Sequence, residues 1–133
     1  MIDRLAGFPD NVVALAAKGQ VTKGDYQQVL APEVARAFQK HSKVNFYYEL
    51  GPEFQGLEPG AAWEDLKEGI RHLGGWDRMA VVTDVEWIKR LVSGFGVIMP
   101  GEVRVFPYGE KLLAKGWVIG DGAQASSVSG SAQ

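Results

Sequence analysis

Few side chains in this sequence have the types and spacing needed for chemistry, and none of them forms a catalytic arrangement. The chain has no cysteine, which excludes thiolate nucleophiles and cysteine metal sites. It also lacks the G-x-S-x-G elbow of serine hydrolases and the glycine-rich loops that hold phosphates. His41 and His72 each fall in the last turn of a predicted helix, where the negative end of the helix dipole stabilises a cation. A structural role explains both histidines, so we expect no catalytic residue and no cofactor.

A metal site is the next possibility, because Glu64, Glu68 and His72 are spaced at i, i+4 and i+8. A helix would place these three side chains on one face. The same spacing, with Arg71 beside it, is also typical of a solvent-exposed ladder of ion pairs. Metal sites usually take ligands from more than one element, and we therefore predict no metal site.

Three carboxylates near the predicted strand ends keep an enzyme open as a third hypothesis. Glu49, Glu53 and Asp84 follow or end predicted strands, so the fold can bring them together. Helix capping explains Asp84 with fewer assumptions. Two kinds of binding protein therefore come before an enzyme among the functional hypotheses.

Residues 76–106 predict the element that fixes the fold class. The continuous apolar run at 79–82 is typical of a strand buried on both faces. Residues 83–86 have the spacing of a capping box, and apolar residues recur at helical intervals over 87–95. A Pro-Gly pair then turns the chain into a second strand over 103–106. This pattern indicates one parallel β-α-β crossover.

The N-terminal half predicts a hairpin followed by a helix and a strand. Strands over 1–7 and 11–19 are joined by a short turn, so one of them should lie antiparallel to its neighbour. A weaker capping box at 22–25 begins a helix that contains Pro32, and we expect a kink or a split just before this proline. An alternating segment over 44–50 predicts the third strand.

Two further helices and two irregular segments complete the prediction. We expect a loop over 51–60, a helix from about Pro59, a last helix over 109–118 and a flexible tail over 120–133, rich in glycine, alanine and serine. The predicted inner faces consist of Trp63, Leu66, Ile70 and Leu73 in the first helix, and of Leu112, Leu113 and Trp117 in the second.

Together these elements predict an α/β fold with the order ββαβαβαβα. It is a single layered domain over 1–119, in which about four helices pack against a mixed, mostly parallel five-stranded sheet.

Composition limits the class of protein further. A chain of 133 residues with 46% hydrophobic residues can form one domain with a substantial core. The formal net charge of -2 and the absence of a basic stripe argue against nucleic acid as a partner. We recognise no signal peptide and no apolar run that would cross a membrane. These features predict a soluble, cytoplasmic protein.

Aromatic and apolar residues gather where the predicted parallel strands end, which is the edge where such sheets bind ligands. The first hypothesis is therefore a non-enzymatic domain that holds a small apolar or lipid-like molecule at this edge. The predicted ligand-binding residues are Tyr48, Leu50, Phe54, Trp63, Thr83, Asp84, Trp87, Phe95 and Phe106.

The apolar segment 95–99 predicts a second surface. It follows a helix whose inner face is already complete, and exposed apolar patches usually mark interaction sites. The fold, a ligand, a membrane surface or another subunit must cover it. We expect a homodimer in which Val97, Ile98 and Met99 form the interface.

Three segments of the sequence, YELGPEF at 48–54, AVVTDVEWI at 80–88 and MPGEVRVF at 99–106, resemble the SpoIIAA-like family of small bacterial proteins. The similarity runs from about Ile2 to Trp117. The family is related in fold to STAS domains, which antagonise anti-sigma factors, and to the lipid-carrying CRAL-TRIO domains. The resemblance implies a layered β-α domain, often dimeric, with a proposed role in binding small apolar molecules or lipids.

The same resemblance implies the second hypothesis, a STAS-like module that acts in regulation by binding a protein partner. STAS antagonists are switched by phosphorylation of a serine or threonine at the start of the helix after the third strand. The matching region here, 51–62, contains no serine or threonine. A partner would therefore bind without that switch.

Overall fold

The computed structural model describes residues 1–58, 60, 73–98 and 101–120. Its centre is one five-stranded sheet with the strand order β1-β2-β3-β4-β5. The first two strands pair antiparallel and the others pair parallel, which confirms the predicted mixed α/β sheet. The strands are β1 (Ile2–Arg4), β2 (Val12–Val21), β3 (Val44–Leu57), β4 (Trp76–Thr83) and β5 (Glu102–Phe106).

Three helices lie within the described residues. Helix α1 consists of an α-helical turn (Lys23–Asp25), a π-helical turn (Tyr26–Leu30) and an α-helix (Ala31–Lys40). Helices α2 (Glu86–Ile98) and α3 (Lys111–Ile119) follow β4 and β5, and 3₁₀ turns precede β4 at Leu73–Gly75 and α3 at Tyr108–Glu110. The helix predicted from about Pro59, with the inner face Trp63, Leu66 and Ile70, lies outside the described residues.

Helix α1 has the predicted beginning and the predicted irregularity. Thr22 Oγ1 accepts from the Asp25 amide at 3.1 Å, and Asp25 Oδ2 accepts from the Thr22 amide at 2.9 Å, so the capping box is confirmed. Pro32 has no amide hydrogen to donate. Just before it, the Ala31 amide donates to the Tyr26 carbonyl, which is the i to i+5 bond of a π-helix.

Because the Asp25 carboxylate is part of the capping box, we expect Asp25→Ala to destabilise the protein by an amount that depends on pH. Burial favours the neutral carboxyl, but the Thr22 amide and the N-terminal ammonium at 2.9 Å outweigh it, so the pKa of Asp25 lies below 3.8. We expect the free energy of unfolding to fall by about 1 kcal/mol near neutral pH. Because the pKa is lower in the folded state, this contribution is present above the unfolded-state pKa and is lost as the pH falls through the folded-state pKa.

Urea denaturation of both proteins near neutral pH and in acid measures this difference. The control is Asp77→Ala, which removes an exposed carboxylate from β4 and should change stability by less than about 0.5 kcal/mol. A difference between wild type and Asp25→Ala that persists undiminished in acid contradicts the prediction.

The sheet buries side chains on both faces. Helices α1 and α2 cover one face, where the core includes Val13, Leu15, Val34, Phe46, Leu50, Trp76, Val81 and Ile88. Helix α3 covers the other face, where the core includes Val12, Ala14, Tyr47, Ala80, Val82, Phe106, Ala114 and Val118. Because residues alternate along a strand, neighbours such as Phe46 and Tyr47 belong to opposite faces.

The predicted loop over 51–60 is wrong, because β3 continues to Leu57. The extra length of β3 pairs with the end of β2, where Gly19 lies opposite Phe54 and Val21 lies opposite Leu57. The register shifts between Ala17 and Gly19. Pro52 falls in this bulged stretch, where a strand tolerates a residue that cannot donate.

The predicted boundaries of α2 are also wrong. Thr83 remains in β4 opposite Leu50, and its hydroxyl accepts from the Val85 amide at 3.1 Å, so it does not cap a helix that begins at Glu86. The helix then continues to Ile98, beyond the predicted apolar pattern that ends at Phe95. Residues 95–98 are therefore helical and do not form the predicted loop.

Helix α3 presents a different face to the sheet from the predicted one. Leu112 and Leu113 are 84% and 61% exposed, whereas Ala114 and Val118 are fully buried, so the predicted inward position of the two leucines is wrong. The buried Asn45 fixes the helix by donating to the Val118 carbonyl at 2.7 Å and accepting from the Arg78 amide at 2.9 Å. These bonds satisfy polar groups that would otherwise be buried without partners.

Candidate functional site

The predicted ligand-binding residues do not form one site, because the sheet divides them. Tyr48, Leu50 and Phe54 belong to the core on the face covered by α1 and α2. Phe106 belongs to the opposite face, where its ring lies 5.8 Å from that of Trp117. Trp63 and the side chain of Phe95 lie outside the described residues.

Phe54 and Trp87 are the two predicted residues that meet near the surface. Their ring centroids are 6.5 Å apart, since the continuation of β3 carries Phe54 to the start of α2. Trp87 is 47% exposed and Phe54 is half-buried. Leu50 and Thr83 are buried, with exposed fractions of 2% and 0%. A ligand at this edge would therefore contact Phe54 and Trp87 and would not reach Leu50 and Thr83.

The exposed side of α2 extends this aromatic pair. Leu91 follows Trp87 by one helical turn and is 53% exposed, so the two side chains lie on the same side of the helix. We name Phe54, Trp87 and Leu91 the Trp87 surface. An apolar helix face left in solvent is typical of an interaction site.

Of the predicted dimer residues, Val97 is the one whose side chain the structure describes. It is 84% exposed near the end of α2. The side chain of Ile98 and the whole of Met99 lie outside the described residues. The homodimer through these three residues therefore stays a prediction.

A small polar groove lies beside the register shift between β2 and β3, and the sequence pattern did not indicate it. Tyr47 donates to Glu49 Oε1 at 2.9 Å, and Lys111 Nζ donates to the Tyr108 hydroxyl at 3.4 Å. The Tyr108 ring lies directly over Gly51, where a β-carbon would collide with it. The groove is lined by Ala16, Ala17, Lys18, Glu49, Gly51, Pro52, Glu53 and Tyr108.

Two groups in and beside this groove, Tyr47 and Lys111, keep their protons near neutral pH. Burial raises the pKa of Tyr47 far above its ordinary value of 10, and the bond to Glu49 raises it further. The hydrogen bond with Tyr108 raises the pKa of Lys111, and the charge of Glu49 adds to this effect. Tyr47 therefore stays a neutral phenol near pH 7 and Lys111 stays an ammonium, so neither acts as a base.

Asp84 has a structural partner next to the groove. Its Oδ1 accepts from the backbone amide of Tyr108 at 3.2 Å, which ties the end of β4 to the turn before α3. Of the three carboxylates proposed for an enzyme, Glu49 and Glu53 line the groove and Asp84 anchors its wall. The alternation of Tyr47 and Glu49 was visible in the sequence, but the approach of Tyr108 and Lys111 was not.

Within the ranges that the structure describes, no three histidine, aspartate or glutamate side chains come together as metal ligands. No helix in the described part of the chain is long and apolar enough to cross a membrane.

Comparisons with known proteins agree with this fold. A family model described as SpoIIAA-like matches residues 12–118. A crystal structure of an uncharacterised protein from Shewanella loihica PV-4, with a SpoIIAA-like fold, is similar at a TM-score of 0.68 and 26% sequence identity. The match covers 88% of this chain and 93% of that chain. No protein with a curated description matches the sequence. The fold supports a binding or regulatory module and nothing more specific.

Proposed function

Since the chain belongs to the SpoIIAA-like family, we propose that it is a non-enzymatic binding module that contacts a protein partner through the Trp87 surface. The observation that carries this proposal is the exposure of Trp87 and Leu91, at 47% and 53%, on one side of α2. Aromatic side chains, tryptophan among them, are the groups that often contribute most when an interface buries them, and Leu91 extends the apolar contact beside Trp87. A cytoplasmic location is part of the proposal, because a chain without cysteine suits a reducing compartment.

The shape of the surface favours a protein partner over a small molecule. Small-molecule sites are usually concave and enclose most of the ligand, whereas the Trp87 surface is one side of a helix beside an aromatic ring. Helix faces with anchors at i and i+4 recur in protein recognition. The groups in the polar groove supply hydrogen bonds rather than a nucleophile, which fits a role without turnover.

A charge introduced into this surface should weaken partner binding. We expect Leu91→Asp to reduce recovery of a stoichiometric partner from lysate at least about tenfold, because an exposed interface anchor is worth on the order of 1.4 kcal/mol or more. The matched control is Leu113→Asp, which makes the same change at a 61% exposed leucine of α3 on the other face of the sheet. Quantitative mass spectrometry of both pulldowns, after delipidation of the bait, measures the ratio.

Two outcomes would contradict this proposal. Equal recovery of the partner with Leu91→Asp and wild type would remove the Trp87 surface from the interaction. Loss of the partner with Leu113→Asp alone would move the interaction to α3. Circular dichroism of each variant separates loss of binding from loss of folding.

A small apolar or lipid-like ligand is the second candidate, favoured by the Phe54–Trp87 ring pair at the strand ends. Binding of a fluorescent fatty acid to delipidated protein tests it, with the probe emission as the signal. Saturable binding by wild type that is lost in Trp87→Ala supports the lipid-like ligand. Absence of uptake by wild type, together with no copurified lipid in native mass spectrometry, counts against it.

A further inference from the structure

The two edge strands of the sheet, β1 and β5, differ in length and in the further hydrogen bonds beside them. At one edge, β1 has three residues, and the N-terminal ammonium adds bonds to the carbonyls of Lys18 at 2.9 Å and Gln20 at 2.8 Å. At the other edge, β5 has five residues and pairs with β4 on one side. Among the described residues, no strand follows β5 in the sheet order. An edge strand of this kind is a template for pairing with another chain.

Two opposite charges lie on the same face of β5. Glu102 and Arg104 are two residues apart, so both point to the face covered by α3. The Arg104 guanidinium lies 5.1 Å from the ring centroid of Phe106 and 5.4 Å from that of Trp117. Glu102 is 3.8 Å from Arg78 and its side chain is 69% exposed. A guanidinium held against aromatic rings is preorganised to bind a carboxylate.

We propose that two copies of this chain pair antiparallel through β5, with Val103 opposite Val103 of the second copy. In this register Glu102 of each copy lies directly opposite Arg104 of the other, which gives two reciprocal ion pairs. A shift of two residues in either direction would place Arg104 opposite Arg104 or Glu102 opposite Glu102. Opposite charges stabilise directly paired cross-strand residues and like charges destabilise them, so the charges select one register.

The other face of β5 adds apolar contact to the same interface. Val103 lies beneath Gly96, where an added β-carbon would be 3.5 Å from Val103 Cβ. Val97, the residue after Gly96 in α2, is 84% exposed, so a copy paired at β5 would approach it.

A pair of five-residue strands is small compared with a standard interface, and we therefore expect the dimer to dissociate in roughly the micromolar range. This inference does not rest on the proposed function, which uses other residues.

Complementary charge reversals test the register directly. Arg104→Glu alone places glutamates opposite one another, and Glu102→Arg alone places arginines opposite one another. Each variant should raise the dimer dissociation constant at least about tenfold. An equimolar mixture of the two variants restores both ion pairs in a heterodimer, and the double variant Glu102→Arg/Arg104→Glu restores them in a homodimer. Arg90→Glu, which reverses an exposed charge on α2, is the control and should leave the dimer unchanged.

Sedimentation velocity over about 1 to 200 μM measures these constants, and circular dichroism verifies folding. A disulfide across Val103→Cys is an independent readout, because the natural chain has no cysteine. Oxidation should link Val103→Cys into a covalent dimer. A wild type that stays monomeric over this range would overturn the proposal. Single reversals that dimerise as tightly as wild type, or a mixture that fails to restore the dimer, would also overturn it.

Discussion

Trp76→Ala is expected to lower the free energy of unfolding by about 3–5 kcal/mol. Trp76 is 2% exposed at the start of β4. Its ring lies edge-on to Phe38 at 5.0 Å and stacks on Phe46 at 5.5 Å. Removing the indole leaves a cavity that these neighbours, held by α1 and β3, cannot fill completely. Urea denaturation measures the loss from the shift of the midpoint.

Trp87→Ala is the matched control, because it removes the same side chain from a half-exposed position. We expect a smaller loss of about 1–2 kcal/mol, since roughly half of this indole is already in water. A loss as large as that of Trp76→Ala would mean that Trp87 is part of the intramolecular core. That result would remove the basis for the proposed binding surface, whereas a small loss leaves Trp87 available to a partner.

Gly101→Ala is expected to lower the free energy of unfolding by about 2–4 kcal/mol. A β-carbon on Gly101 would lie 2.5 Å from the Trp76 carbonyl oxygen and would also collide with the Asp77 carbonyl oxygen. Both atoms belong to the backbone of β4, which is held in the sheet, so no side-chain rotation relieves the contact. The start of β5 would have to move away from β4, next to the pairing of Arg78 with Glu102.

Gly94→Ala is the control for this substitution and should raise the free energy of unfolding instead of lowering it. Gly94 lies inside α2, and an added β-carbon there meets nothing within 4 Å. Alanine in a helix interior is more favourable than glycine by about 1 kcal/mol. We expect this variant to unfold at a higher urea concentration than wild type. Destabilisation by both substitutions would mean that Gly101 is not specifically constrained by β4.

The Gly101 variant also bears on the proposed pairing between copies. Because the strain falls at the start of β5, Gly101→Ala should weaken any dimer that forms through this strand. The Trp87 surface on α2 carries the proposed partner contact and uses different residues. Dimer formation and partner binding can therefore be lost separately, which makes the two proposals independent.

Much of the architecture was predictable from local pattern. The apolar run at 79–82 indicated a strand buried on both faces, and such strands occur in parallel sheets covered by helices. Thr22 and Asp25 indicated the beginning of α1, because the capping box involves residues three positions apart. Pro32 indicated the irregularity beside it, since the missing amide hydrogen is a property of the residue itself. These signals are local, and distant contacts did not change them.

The tertiary structure alone decided which residues share a face and where the elements end. Leu50 and Phe106 both lie near the carboxyl edge, but the sheet separates them, because a strand buried on both faces has no polar side to indicate its orientation. The bonds of Asn45 with Val118 and Arg78 set the rotation of α3 and expose Leu112 and Leu113. The groove of Glu49, Tyr108 and Lys111 likewise depends on residues some sixty positions apart. Sequence periodicity describes each element by itself. Register and packing between elements depend on contacts between residues far apart in the sequence, and a local pattern does not contain them.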